Sequence, residues 1–213
     1  MIGVLCSGQG TNLQAIIDAI AAGRVNARIG VVISDRSDAF ALTRATAAGI
    51  PACWIDPKSF PIRGAFEQAM IQTLRARRVQ LVCLAGFMRL LSPVFVRAFP
   101  NRILNIHPAL LPAFPGSHGV RDALAWGAKV TGVTIHFIDE LVDHGPILLQ
   151  EALAIKSGDR EAELIQRVHA IEHRLYPEAI QLIAEGRVRV EGRRVTVRSI
   201  GSVHSPRSTI HKK

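Results

Sequence analysis

Short apolar runs alternate along the chain with stretches whose apolar residues recur at helical spacing. Ile2–Cys6, Ile29–Ser34, Val79–Ala85 and Arg102–Ile106 are mostly apolar segments bordered by Gly, Ser or Pro. Strands buried on both faces have this pattern. After the first run, Leu13, Ile16, Ile17 and Ile20 fall at i, i+3, i+4 and i+7, which lines one side of a helix. Phe66, Met70 and Leu74 repeat the spacing ahead of Val79, and Leu164, Ile165, Val168, Ile171 and Leu175 mark a long helix further on. Thr131–Ile138 and Ile147–Ile155 are longer strand candidates in tandem, suited to antiparallel pairing. Val188 to Val190 and Val195 to Val197, joined through Glu191-Gly192-Arg193, predict a small edge hairpin. Strands alternating with helices predict an α/β fold, doubly wound around a mostly parallel sheet, with right-handed crossovers. The expectation is one domain over residues 1–200 and a loose basic tail over 201–213.

Composition narrows the classes. A chain of 213 residues, 48% hydrophobic, can bury about three quarters of its unfolded surface and needs no staple. Cys6, Cys53 and Cys83 form no C-x-x-C pair, so free buried thiols in a reducing, cytoplasmic setting are expected. Met1 runs straight into Ile2-Gly3-Val4-Leu5-Cys6 with neither a basic leader nor a cleavage site, so a signal peptide is not expected. No run of about 18 apolar residues exists to span a membrane. The net charge of +9 suggests nucleic acid until it is located: residues 186–213 hold +7 of it. No Phe, Tyr or Trp interleaves those charges, so a base-stacking platform is missing. The tail reads as solvated, and no specific nucleic-acid partner is expected.

Four segments carry candidate chemistry. Ser7-Gly8-Gln9-Gly10-Thr11-Asn12-Leu13 lies between the first strand and the first helix. Free N–H groups and the positive dipole end of such a helix suit a phosphate. Leu13 stands where G-x-G-x-x-G needs its third glycine, so an NAD site is not expected. Asp35 occupies the place of a ribose-binding acid, although Asp35 or Asp38 could equally cap the next helix. Asn105 and His107 lie two apart in an apolar strand and point to one face. A carboxamide there can donate to a developing oxyanion and an imidazole can move a proton. They could also be two buried polar groups bonded to loop backbone. Asp139 to Pro146 ends in a Gly-Pro loop, and Asp143 brought near His107 would favour the imidazolium. His169-Ala170-Ile171-Glu172-His173 matches the zinc-protease motif H-x-x-E-H. Two histidines on one helix face lack the third ligand of a catalytic zinc, so no metal is expected.

Together these stretches resemble the folate-dependent glycinamide ribonucleotide formyltransferases of purine synthesis. The resemblance rests on Ser7 to Gln14, Leu84 to Ser92, Asn105-Ile106-His107-Pro108, Asp139 to Pro146, and Glu172-His173 with Tyr176-Pro177. It implies a formyltransferase-like fold with a Rossmann-type N-terminal half. Residues 1–100 would bind the ribonucleotide phosphate and 101–200 would contribute the folate cleft. Gly10, Thr11 and Asn12 would hold the phosphate, and Glu172 would reach the acceptor's ribose or glycinamide end. Arg63, the backbone of Met88, Arg89, Leu90 and Leu91, Asn105, and the loop with Asp139, Glu140 and Asp143 would meet the folate. Asn105, His107 and Asp143 would be catalytic, with the oxyanion held by Asn105 and protonated His107 and the His107 charge supported by Asp143. 10-formyltetrahydrofolate would be co-substrate, with no metal, no NAD, no membrane partner, and a monomer or weak homodimer as the assembly. Only His118 follows Pro115-Gly116, where the family often has two histidines. Related proteins that hydrolyse formyltetrahydrofolate or formylate initiator methionyl-tRNA resemble this core with a further domain before or after it. The glycine loop favours a ribonucleotide acceptor over water. A nucleic-acid-binding protein that uses the basic tail is the alternative from another class.

Overall fold

The structure, a computed structural model, describes residues 1–199; the tail expected over 201–213 lies outside the described residues. Five parallel strands form one end of the main sheet: β1 (Ile2–Cys6), β2 (Ile29–Ser34), β3 (Ala52–Trp54), β4 (Leu81–Leu84) and β5 (Ile103–His107). Then β6 (Val130–Phe137) and β7 (Ile147–Ala154) add antiparallel partners, giving the order β3-β2-β1-β4-β5-β6-β7. The helices are α1 (Thr11–Ala21), α2 (Phe40–Ala47), α3 (Arg63–Ala76), α4 (Pro93–Ala98), α5 (Gly119–Trp126) and α6 (Glu161–Ala184). This is the doubly wound architecture that the alternating pattern predicts.

Strand alternation divides the core. Ile2, Val4 and Cys6 of β1 join Leu81 and Cys83 of β4 and Leu104 and Ile106 of β5 in a cluster with α1 and α6. Leu5, Val82, Leu84 and Ile103 turn to the other face and pack with α3 and α4. Successive strand residues face opposite sides, so Asn105 and His107, in phase with Ile103, project on the α3 and α4 face.

Several predicted bounds are corrected. The apolar run from Val79 starts the strand too early, because the Val79 N–H donates to Leu74 O and closes α3. The fourth run continues through His107, which pairs with Thr134, and begins at Ile103 because Arg102 turns back to bond Phe99 O. The C-terminal hairpin forms as expected: β8 (Val188–Glu191) and β9 (Arg194–Val197) pair antiparallel as a two-stranded sheet. Among the described residues no helix is long and apolar enough to cross a membrane.

The strand order reverses between β1 and β4, and ligands of open α/β sheets gather at the carboxyl ends of strands beside such a reversal. There the Ser7 N–H donates to Gly86 O at 3.0 Å, tying together the segments that leave the two strands.

Candidate active site

Two cavities meet at this end of the sheet. One, of about 450 Å³, is walled by Gly86 to Pro93, Asn105 to Pro108 and Ile138 to Asp143. The other, of about 480 Å³, runs from Ser7 to Asn12 across to Glu172 on α6. They share Gly86, Met88, Ile106, Pro108 and Ser117, so they form two lobes of one cleft with the end of β5 at the junction.

Asn105, His107 and Asp143 come together in the first lobe, beside the shared residues Ile106 and Pro108. His107 is 3% exposed, and its Nε2 lies 2.8 Å from Phe114 O. A carbonyl only accepts, so Nε2 carries the proton of the neutral ring. Nδ1 faces Asp143 Oδ2 at 3.5 Å and is left to serve a reacting group. Asp143 adopts φ 48°, a left-handed conformation in which Asp is enriched. Its Oδ2 accepts the Gly116 N–H at 2.7 Å, linking its loop to the one after His107. At Gly145 a Cβ would stand 1.9 Å from Phe137 O, so only glycine lets the loop return against β6.

His136, on β6 opposite Asn105, was not singled out from the sequence and belongs to this group. It is fully buried, and its Nδ1 lies 2.9 Å from Phe137 O. That carbonyl places the proton on Nδ1, so Nε2 accepts from Asn105 Nδ2 at 3.1 Å. Burial holds the His136 pKa below 6.5, despite the opposing influence of the Phe137 carbonyl and Asp143. A neutral His136 thus fixes which end of the Asn105 amide faces it, and the second Nδ2–H remains free. The signal was available: Thr134 and His136 break the apolar alternation of β6 on one face, as Asn105 and His107 break that of β5. Thr134 accepts the Leu111 N–H at 3.0 Å and donates to Ala109 O at 2.7 Å, pinning the loop after His107.

In the second lobe Gly10 caps α1 at φ 69° without a side-chain hydrogen bond. The first-turn N–H groups of a helix have no partner within it and here face the lobe lined by Gly10, Thr11 and Asn12. Asn12 Nδ2 donates to Glu172 Oε2 at 2.9 Å, and Asn12 Oδ1 is buried without a partner. Burial raises the Glu172 pKa above 4.5, against the lowering influence of Asn12 and His169. A carboxyl whose folded pKa is raised adds stability below its unfolded pKa and loses it as pH rises through the folded value. Glu172→Gln is therefore expected to melt at or above wild type near neutral pH, with the gap closing toward pH 4.5. If Glu172 reaches the acceptor as the family resemblance implies, the same change should weaken acceptor binding by about tenfold, the scale of a charged hydrogen bond. Thermal melts across pH, paired with ligand titration, check both; a variant that melts lower at pH 7 contradicts the sign.

In the first lobe Arg63 and the segment Met88 to Leu91 line the wall, as do Asp139, Glu140 and Asp143 opposite. The Arg89 guanidinium itself turns away to pair with Asp35 at 2.8 Å. Glu140 pairs with Arg97 at 2.8 Å, and Asp139 Oδ2 lies 2.7 Å from His144 Nδ1. Arg193, at the turn of the β8–β9 hairpin, donates to His144 O at 2.7 Å and braces the same loop. Neither helix-cap assignment survives, because Ala39 caps α2 without a side-chain bond. Asp35 accepts from Ser7 Oγ at 2.6 Å through one oxygen and from Arg89 through the other. Asp38 pairs with Arg36 at 2.8 Å. His169 and His173 stack at 5.9 Å, and among the described residues no group of three or more His, Cys, Asp or Glu is placed to hold a metal ion. His118, the residue before α5, borders the second lobe.

Residues 1–180 match the formyl transferase family model. The chain is 41% identical over 187 residues to the phosphoribosylglycinamide formyltransferase of Escherichia coli, covering 88% of each. It is 47% identical over 190 residues to the trifunctional purine biosynthetic protein adenosine-3 of Drosophila pseudoobscura, but spans only 14% of that protein's length. The crystal structure of glycinamide ribonucleotide transformylase 1 from Symbiobacterium toebii superposes with a TM-score of 0.91 at 55% identity, covering 93% of both chains.

Proposed function

The chain belongs to the formyl transferase family, and from that premise we propose that it transfers the formyl group of 10-formyltetrahydrofolate to the amine of glycinamide ribonucleotide. One observation carries this reading: two lobes of one cleft meet at the end of β5, where Ile106 and Pro108 line both and Asn105 and His107 line the first. The lobe with the helix N-terminus suits a phosphorylated acceptor. The other suits the folate, with Phe87, Leu91 and Ile138 offering apolar walls to a flat ring and Arg63 a cation for its carboxylates.

When bound, 10-formyltetrahydrofolate supplies an electrophilic formyl carbon, so this chain's residues need only orient, stabilise charge and move protons. Glu172 draws the acceptor's amine-bearing end toward the junction. The free Nδ2–H of Asn105 donates to the formyl oxygen as charge gathers there. His107 Nδ1 takes the proton that the amine loses on forming its new C–N bond. The imidazolium so formed is stabilised by the Asp143 carboxylate. His107 then delivers that proton to the folate nitrogen as the old C–N bond breaks, so the proton balance closes within the site. Residues 1–100 carry the phosphate loop, and 101–200 add β5, the Asp143 loop and Glu172.

Formation of tetrahydrofolate by purified protein tests the reading. It should require the ribonucleotide, and folate turnover that proceeds equally without it would make the protein a hydrolase. Deleting residues 201–213 should leave transfer intact and reduce only salt-sensitive binding to polyanions. The reading implies small-molecule partners and a monomer or weak homodimer. It also implies a cytoplasmic setting, which the free thiols of Cys6, Cys53 and Cys83 suit.

A further inference from the structure

Two glutamates are buried among the described residues. Glu172 faces the acceptor lobe. Glu67, on α3 and 1% exposed, is not used by the chemistry above. Its Oε1 accepts from Arg63 Nε at 2.9 Å and from the Ser92 N–H at 2.9 Å, and its Oε2 accepts from the Ser92 hydroxyl. Arg63 Nη2 in turn donates to Leu90 O. The four residues close a ring between α3 and the segment that walls the folate lobe.

A buried carboxylate is costly unless donors meet its oxygens, and apolar residues of similar shape would often stabilise the fold better. The use of this arrangement therefore lies in what it orients. The Arg63 side chain is 55% exposed, and a long exposed side chain ordinarily samples many rotamers. Anchored by Nε to Glu67 and by Nη2 to Leu90, its guanidinium is held as a fixed plane. Of its five N–H donors, those not engaged by Glu67 and Leu90 remain available at the edge of the cleft that Arg63 lines. The formyl group must lie by Asn105 and His107 on β5. A formylfolate spanning the lobe would bring its glutamate carboxylates toward another wall, and a fixed guanidinium fork binds a carboxylate in bidentate fashion.

We infer that Glu67 is a positioning residue for the formyl donor, holding the Arg63 guanidinium in the orientation that captures the anionic end of the folate. This rests on the formyl-transfer reading. The expected result for Glu67→Gln is a KM for 10-formyltetrahydrofolate raised about tenfold, the scale of a charge-assisted hydrogen bond. The turnover number and the KM for the ribonucleotide should stay within about twofold, because the lost interaction concerns binding of one substrate. Calorimetric titration with 10-formyltetrahydrofolate should show the same loss without any turnover. In an Arg63→Ala background Glu67→Gln should add less than about twofold, since the anchor then has nothing to hold. Arg63→Lys should not restore affinity, because an ammonium lacks the fork. Unchanged folate affinity in folded Glu67→Gln, or losses that simply add in the double variant, would overturn the inference. So would Arg63→Ala with normal folate affinity, which is readable even if Glu67→Gln does not fold. Wild-type protein that transfers no formyl group would instead sink the functional reading; a competent wild type with an indifferent Glu67→Gln sinks this inference alone.

Discussion

His107→Ala is expected to lower turnover by about 10²- to 10⁴-fold, the range of positioned acid–base help. Binding of both substrates should persist. The Nδ1 edge of His107 faces Asp143 at 3.5 Å, and in the proposed mechanism it serves the reacting amine and not a bound ground state. Asn105→Ala should cost about 10²- to 10³-fold, as loss of an oxyanion donor does, and it also leaves His136 Nε2 without its partner. Asp143→Asn keeps the shape and removes the charge that supports the imidazolium, so it should fall by about 10²-fold in turnover with smaller changes in binding. Steady-state kinetics paired with equilibrium titration of each substrate checks all three. If the turnover losses were matched by equal losses of affinity, these residues would be shaping the cleft and not serving the transition state.

Gly10→Val should disable the acceptor lobe while sparing the folate lobe. Gly10 sits at φ 69°, and a Cβ there would stand 2.7 Å from Ala41 Cβ and 2.8 Å from Ala41 Cα. A side chain in the left-handed region costs about 1–2 kcal/mol, and contact with the backbone of α2 cannot be relieved by turning a rotamer. The loop is also held by Ala41 N–H donating to Gly8 O at 3.1 Å and by Arg44 Nε donating to Gln9 O at 2.8 Å. Displacement of Gly10 therefore shifts the start of α1 and its free N–H groups. The ribonucleotide should bind at least about tenfold more weakly, as a cost of that size implies, with folate affinity little changed. Equal loss of both ligands would mean that the two lobes are not independent.

What the sequence revealed followed from local periodicity. β1 and β2 coincide with the apolar runs Ile2–Cys6 and Ile29–Ser34, because strands buried on both faces leave no polar position to blur their bounds. Asn105 and His107 were legible because two polar groups in phase within an apolar strand need a reason. β3 was missed because three residues on an edge, with Ala52 and Trp54 exposed, carry no pattern. α2 buries only Ala41 and Ala45, too little for an apolar stripe. Glu67 stayed hidden because its partner Ser92 lies 25 residues away, and next to Phe66 it resembles any solvated helix position. The partners of Asp35, Ser7 and Arg89, are 28 and 54 residues distant, so no local pattern marks the contacts that hold it.

In the proposed reaction an amine, not water, takes the formyl group where the two lobes meet. Following an isotopically labelled formyl group from 10-formyltetrahydrofolate, with glycinamide ribonucleotide present, tests it most directly. The label should appear in formylglycinamide ribonucleotide, one for each tetrahydrofolate formed. Label recovered as formate, at a rate indifferent to the ribonucleotide, would contradict it.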